Sequence, residues 1–331
     1  MERLNDQTRQ YILEAIQSTA KWQLPTTGET WDNYKGTIPS ITQIGVIGGG
    51  TMGAGIVIAS ASASYQVILI ENNPNVIEAI FESMPIKKEL FCKLKSILKP
   101  SCLVGSNTSS LDIDELADAI KPFNFIGMHF FNAPHIIKII EIVYGNSTRG
   151  LSVATVFEVT QKMEKFPVLV KSCVGFLFNR LLFVYVGIVS ELANGFGLYP
   201  SQVDGIFKQF GFLMGPMTMS DMNGLDVYSK ICEEHDMTFG ELQKWLVSQE
   251  RYGRKTGRGF FKYDAKGIKS NDEEVERKID SLKKYQRKDF GLESDQDIIQ
   301  FVLFPYINEA FKCLEEGIID SPQSIDLMKY V

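Results

Sequence analysis

From residue 41 onward the hydrophobic pattern alternates between short apolar runs and longer segments with helical spacing. Residues 41–48 are apolar and end in glycines, which predicts a buried parallel strand. Residues 52–63 are small and apolar and predict a helix lying close on a sheet. Residues 66–70 read as a second strand, stopped by Glu71-Asn72-Asn73-Pro74. A helix at 85–98, a strand at 102–105 and a helix at 111–120 follow, then strands at 125–131 and 137–143 on either side of Asn132-Ala133-Pro134. This alternation predicts an α/β, Rossmann-like domain with a doubly wound, mostly parallel sheet.

After Val170 the strands are expected to stop, giving way to an all-α domain. Residues 175–192, 201–210 and 240–248 have helical spacing, closed by the turn Gly253-Arg254-Lys255-Thr256-Gly257. Residues 265–297 are charged and read as a solvated connector. The last stretch repeats an earlier one: Leu182-Phe183-Val184-Tyr185-Val186 returns as Leu303-Phe304-Pro305-Tyr306-Ile307. Leu192, Gly195, Pro200 and Asp204 return 122 residues later as Leu314, Gly317, Pro322 and Asp326. Such spacing predicts a duplicated helical unit with a truncated second copy. Upstream, residues 1–22 read as a polar helix and 25–39 as an extended connector. The divisions expected are therefore 1–40, 41–167, 168–264 and 265–331.

Charge and composition narrow the partners. The 34 Lys+Arg and 40 Asp+Glu leave a net charge of −6, with no basic stripe, so a nucleic-acid partner is not expected. The longest apolar runs fall short of the ~18 residues that span a bilayer, and the first residues lack the apolar stretch of a secretory leader. Five scattered cysteines without a C-x-x-C spacing predict reduced thiols in an intracellular protein, and no metal site is expected.

Candidate chemistry begins at Gly48-Gly49-Gly50-Thr51-Met52-Gly53, which fits G-x-G-x-x-G between a strand and a helix. Gly48, Gly50 and Gly53 permit the tight turn, and the amides of Gly50, Thr51 and Met52 approach a pyrophosphate at the helix N-terminus. Glu71, eighteen residues past Gly53, would accept hydrogen bonds from ribose hydroxyls, which favours NAD over NADP. His129 stands in an apolar strand, where a histidine taken alone reads as a satisfied core residue. Glu141, flanked by aliphatics in Ile139-Ile140-Glu141-Ile142-Val143, needs a partner. Two strands joined through Pro134 bring the two within reach, and a His–Glu pair makes the base that hydroxyl oxidation requires. Residues 106–111 (Ser-Asn-Thr-Ser-Ser-Leu) admit two readings, a helix cap or a set of donors facing substrate. Asn179, in Gly175-Phe176-Leu177-Phe178-Asn179-Arg180, wants a polar partner, while His135 and His235 read as surface residues.

The segments IGVIGGGTMGAGI, VIEAIFESMPIKKELF, SNTSSLDIDELA, GMHFFNAPHIIKIIEIV, VGFLFNRLL, GFLMGPMTMSDMNGLDV and YGRKTGRGFFKYD resemble the L-3-hydroxyacyl-CoA dehydrogenase family of fatty-acid β-oxidation. The outer segments, AKWQLPTTGETWDNYKGTIPSITQIGVIG and YINEAFKCLEEGIIDSPQSID, are similar to the peroxisomal bifunctional branch of that family. The resemblance implies reversible, NAD-dependent oxidation of an L-3-hydroxyacyl-CoA. It implies His129 as base, Glu141 as its partner, and Ser109 and Asn179 as substrate-positioning groups. Glu71, Glu82, Lys87, Asn107, Asn132 and Lys255 match positions that contact NAD or line the site. A peroxisomal location is implied by resemblance, although Lys329-Tyr330-Val331 is not a Ser-Lys-Leu-type signal.

The sequence departs from the family after Glu71, where several dozen residues are replaced by Asn72-Asn73-Pro74-Asn75. A strand at 76–80, parallel to 66–70 and beyond the first strand, would demand a straight path of ~19 Å. The linking residues reach at most ~18 Å fully extended. Two outcomes are open: residues 74–83 become a helix after the second strand, or the corner is distorted. The alternative function is a non-catalytic paralogue or splice form that binds acyl-CoA or a protein partner.

Overall fold

The computed structural model describes residues 37–70, 78–80, 82–99, 101–121, 124–234 and 237–328. The expected linker helix, Glu71 and His235 lie outside the described residues. Two compact units form: residues 1–180 with 311–331, and residues 181–310.

In the first unit β1 (Gln43–Ile47) pairs in parallel with β2 (Gln66–Ile70), in register from Gln43↔Gln66 to Ile47↔Ile70. Between them runs α1 (Thr51–Ser62), whose inner face of Gly53, Gly55, Ile56 and Ala59 is small enough for close packing. A second sheet has the order β3 (Leu103–Ser106), β4 (Asn124–Phe130), β5 (Ile139–Tyr144), β6 (Phe166–Lys171). β3 and β4 are parallel, β4 and β5 antiparallel, β5 and β6 parallel. Five of the six residues of β5 are buried, as suits an inner strand.

Helices α2 (Met84–Leu94), α3 (Ile113–Ile120) and α4 (Gly150–Lys162) accompany these strands. The Asp112 carboxylate caps α3 by accepting from the amides of Asp114 and Glu115. Phe91 of α2 meets Phe125 of β4 edge-on at 5.3 Å in a core that also takes Ile113, Leu116 and Ile120.

The helix expected at 74–83 is not seen among the described residues of the corner after β2. Residues 78–80, 82 and 83 are not helical. The Ala79 amide donates to the Ile47 carbonyl at 3.1 Å, and the Asn107 amide donates to the Glu78 carbonyl at 3.0 Å. Among the described residues, Glu78 and Ala79 thus stand between the ends of β1 and β3.

The division between units falls at Arg180/Leu181 in α5 (Phe178–Asn194) and at Ala310/Phe311 in α11 (Asp295–Glu315). The second unit contains most of these two helices together with α6 (Pro200–Phe210), α7 (Pro216–Asn223), α8 (Leu225–Glu234), α9 (Glu241–Ser248) and α10 (Glu273–Leu282). Val189 and Leu192 of α5 share a core with Phe207, Leu242, Phe260 and with Ile298 and Val302 of α11. The two copies of the repeat meet there, and Tyr185 lies edge-on to its counterpart Tyr306, ring centroids 6.3 Å apart. Asp221 of α7 ties down the following loop, accepting from the amides of Phe260 (2.8 Å) and Phe261 (3.0 Å) and from the Tyr263 hydroxyl (3.0 Å).

Three expectations need correction. Strands do not stop after Val170: β6 continues to Lys171, and a short hairpin of β7 (Lys262–Tyr263) and β8 (Lys269–Ser270) follows. A boundary at 167/168 would cut β6, whose pairing with β5 holds it in the sheet. Residues 265–297 are not a solvated connector. They contain α10, whose Val275 and Ile279 are fully buried, and Asp272, which pairs with Arg251 at 3.1 Å in the interior. Finally, residues 311–328 associate with the first unit: α12 (Pro322–Leu327) lies there, the Lys171 amide donates to the Ile318 carbonyl at 2.9 Å, and Arg180 grips Glu316 through two bonds of 2.6 and 2.9 Å.

Candidate active site

The glycine turn is shaped for close approach. Gly48 adopts φ +113°, in the region that favours glycine. A Cβ on Gly53 would stand 1.7 Å from the Gly48 carbonyl oxygen, so the turn excludes a side chain there. The N-terminus of α1 has no side-chain cap and no acidic residue in its first turn, which leaves its dipole end suited to an anion. Gly50, Thr51 and Met52 form that end, and this cradle fits the pyrophosphate of a dinucleotide.

The antiparallel register of β4 and β5 sets His129 directly opposite Glu141. The imidazole Nδ1 lies 2.6 Å from the Glu141 Oε2. The other carboxylate oxygen accepts from the amides of Leu177 (3.0 Å) and Phe178 (2.9 Å), at the start of α5. Phe176 precedes them in a left-handed conformation (φ 53°), and its buried ring meets the imidazole at 5.8 Å. Glu141 is fully buried and both its oxygens are satisfied, so its carboxyl group is held in place for the imidazole.

The loop at 106–110 is not the cap of α3, since Asp112 does that. It is knitted to Glu82 instead. The Glu82 Oε1 accepts from the Thr108 hydroxyl (2.6 Å) and from the Ser109 amide (2.7 Å) and hydroxyl (3.2 Å). Asn179 Nδ2 donates to the Ser109 carbonyl at 3.0 Å, and the Asn107 side-chain oxygen accepts from the Phe130 amide at 2.9 Å. Ser109, Asn107, Asn179, His129 and Glu141 therefore belong to one bonded neighbourhood within the first unit. Burial resists ionisation of Glu82, but the Lys87 ammonium at 2.9 Å, the Thr108 hydroxyl and the Ser109 amide outweigh it and hold the carboxyl below its ordinary range.

Lys87 is buried within the first unit. It is 1% exposed, with its ammonium between the carboxylates of Glu78 and Glu82. Asn132 is exposed at the tip of the loop after β4. Lys255 lies in the second unit, where it pairs with Asp226 at 2.7 Å. His135 is exposed.

Two residues escaped the sequence reading. Glu78 is 2% exposed and burial pushes its carboxyl up to about 7. Lys165, 4% exposed, donates to the carbonyls of Pro134 (2.5 Å) and Ile137 (2.7 Å), clamping the loop that carries Asn132. Burial, helped by Lys138, brings its ammonium down to about 8. The signal for Glu78 was present: a carboxylate inside Val76-Ile77-Glu78-Ala79-Ile80 is the same anomaly that singled out Glu141. Among the described residues, no three His, Cys, Asp or Glu side chains are grouped to hold a metal ion, and no helix is long and apolar enough to cross a membrane.

Comparison with known proteins matches this chain to a family. Residues 73–173 match the 3-hydroxyacyl-CoA dehydrogenase NAD binding domain, which identifies NAD as the cofactor, and residues 175–263 match the C-terminal domain of the same enzymes. The peroxisomal bifunctional enzyme of Danio rerio is 32% identical over 97% of this chain, and that of Homo sapiens 30% identical over 96%. The chain spans about half the length of these curated relatives, 53% in each case. Among solved structures, the dehydrogenase part of multifunctional enzyme 1 from C. elegans is 34% identical, with a TM-score of 0.72 over 98% of this chain and 85% of that one. The 3-hydroxybutyryl-CoA dehydrogenase of Escherichia coli, 20% identical with a TM-score of 0.70 over 87% of this chain and 88% of that one, shares the fold. With both domain families matched in order and a solved relative aligned over 98% of this chain, the chain belongs to the 3-hydroxyacyl-CoA dehydrogenase family.

Proposed function

We propose that this protein oxidises an L-3-hydroxyacyl-CoA to the 3-oxoacyl-CoA with NAD, as a step of peroxisomal fatty-acid β-oxidation. The observation that carries the reading is the buried His129–Glu141 pair, which leaves the imidazole Nε2 as the nitrogen for proton transfer. With Nδ1–H donated to the carboxylate, Nε2 holds a lone pair and takes the proton of the substrate hydroxyl. Glu141 fixes that tautomer and stabilises the imidazolium that forms. Ser109 and Asn179 orient the substrate oxygen, and Asn107 holds the strand that carries His129 through the Phe130 amide. Bound NAD would supply the hydride acceptor. Its pyrophosphate is assigned to Gly48, Gly50, Thr51, Met52 and Gly53, its ribose to Glu71, and its remaining contacts, by family likeness, to Glu82 and Asn132. The peroxisomal setting is supported by the names of the relatives.

The test is acetoacetyl-CoA-dependent oxidation of NADH by the purified chain. Turnover that requires both compounds supports the reading, and a folded protein without turnover overturns it. One observation favours a second reading, a non-catalytic acyl-CoA-binding protein: only the residues between Ile70 and Glu78 connect β2 to the far side of β1. Acetoacetyl-CoA binding without NADH binding, measured by calorimetry, would establish it.

A further inference from the structure

Glu78 is a buried carboxylate to which the proposed chemistry gives no task. Its backbone is part of the junction between the two sheets, accepting from the Asn107 amide at 3.0 Å while its neighbour Ala79 donates to Ile47. Its side chain accepts from the Lys87 ammonium on one oxygen and from the Ser106 hydroxyl on the other. Ser106, fully buried, passes the constraint on: its oxygen accepts from the Thr108 amide at 3.2 Å. The Thr108 hydroxyl in turn accepts from the Leu111 amide at 3.0 Å and donates to Glu82.

The loop is therefore gripped from two sides, by Glu78 through Ser106 and by Glu82 through Thr108 and Ser109, and Lys87 joins the two carboxylates. Without a negative charge at position 78 the buried ammonium would have Glu82 alone to balance it, pulling on the carboxylate whose other oxygen holds Thr108 and Ser109. A glutamine there would offer one accepting oxygen in place of two, so the Ser106 hydroxyl and the Lys87 ammonium would compete for it. Both effects converge on Ser109, whose carbonyl receives Asn179.

We propose that Glu78 is a positioning residue that acts through Ser106 to hold the 106–110 loop, and with it Ser109, in the geometry that receives the acyl-CoA. The assignment rests on the dehydrogenase reading for the identity of the ligand.

The test compares the full-length protein with Glu78→Gln, Ser106→Ala and the double variant. Glu78→Gln is expected to raise KM for acetoacetyl-CoA about 10-fold, the equivalent of one lost contact of ~1.4 kcal/mol. kcat should stay within about threefold and KM for NADH within about twofold, on the scale of a lost interaction far smaller than tenfold. Ser106→Ala should reproduce most of this, and the double variant should add little, because the two residues form one relay. Amide hydrogen exchange across residues 106–111 should accelerate in each variant well below its unfolding temperature. An unchanged KM ratio, additive effects of the two substitutions, or unaltered exchange in a folded Glu78→Gln protein would each overturn the proposal. Should the parent protein lack turnover, the dehydrogenase reading fails first, and the same comparison is made on acetoacetyl-CoA affinity by calorimetry. A parent that binds no acetoacetyl-CoA would overturn both.

Discussion

A carboxylate among aliphatic residues is the most informative single feature of this chain. Glu141 stands out because an unpaired buried charge is costly, and it meets the one histidine its register allows. Replacing His129 by Gln should lower turnover by ~10²–10⁴ while NADH affinity stays nearly unchanged. Glu141→Gln should lower turnover in a protein that still folds, measured as kcat beside a circular-dichroism melt. The same reasoning applied at position 78 would have found a second buried acid. Lys165 was hidden for a different reason: a lysine bonded only to backbone carbonyls leaves no mark in the sequence. Its ammonium is lowered to about 8 by burial, so between that pH and the ordinary lysine value the unfolded chain binds more protons than the folded one. Stability should therefore rise, relative to a Lys165→Met protein, as pH increases from about 8 to about 10. Denaturant unfolding of the two proteins across that range checks the sign.

Most elements bounded by turns or glycines were legible, but α4 and β6 were not, nor was α10, whose apolar rhythm is diluted by charge. Strands β1 to β5 and helices α1, α3, α6 and α9 fall within a few residues of their expected positions, whereas no strand was expected at β6. α10 was missed because Glu273, Glu274, Glu276, Arg277 and Lys278 surround its buried pair, Val275 and Ile279, which lie four residues apart on one face. Ile279→Ala should cost about 2–5 kcal/mol of unfolding free energy. A change under about 0.5 kcal/mol, typical of a surface substitution, would restore the solvated connector. The repeat also has unequal faces. Phe183, Val186 and Ser190 of α5 are covered or half-covered, with Phe183 against Tyr228 and Ser190 bonded to Gln243. Their counterparts Phe304, Ile307 and Phe311 on α11 are exposed.

At the scale of the molecule, the shortened corner is where the sequence argument and the structure met most directly. Among the described residues, Glu78 and Ala79 suffice to bond the strands on either side of the corner, which a limit on chain length alone does not anticipate. Cofactor affinity is the quantity most exposed to this economy, since the absent segment borders β2 and Glu71. NADH should bind at least ~10-fold more weakly than in a version with the family's intervening segment restored. Equal affinities by fluorescence titration would show the corner to be harmless. The pairing of Tyr185 with Tyr306 has the opposite character. Contact between equivalent residues is the signature of an isologous, two-fold interface, the kind that normally joins separate subunits. Here both halves belong to one polypeptide, so the association is intramolecular and its effective concentration is fixed by the chain. Dilution cannot dissociate it. The melting temperature should accordingly be the same at micromolar and nanomolar protein, whereas Tyr306→Ala should lower it equally at both.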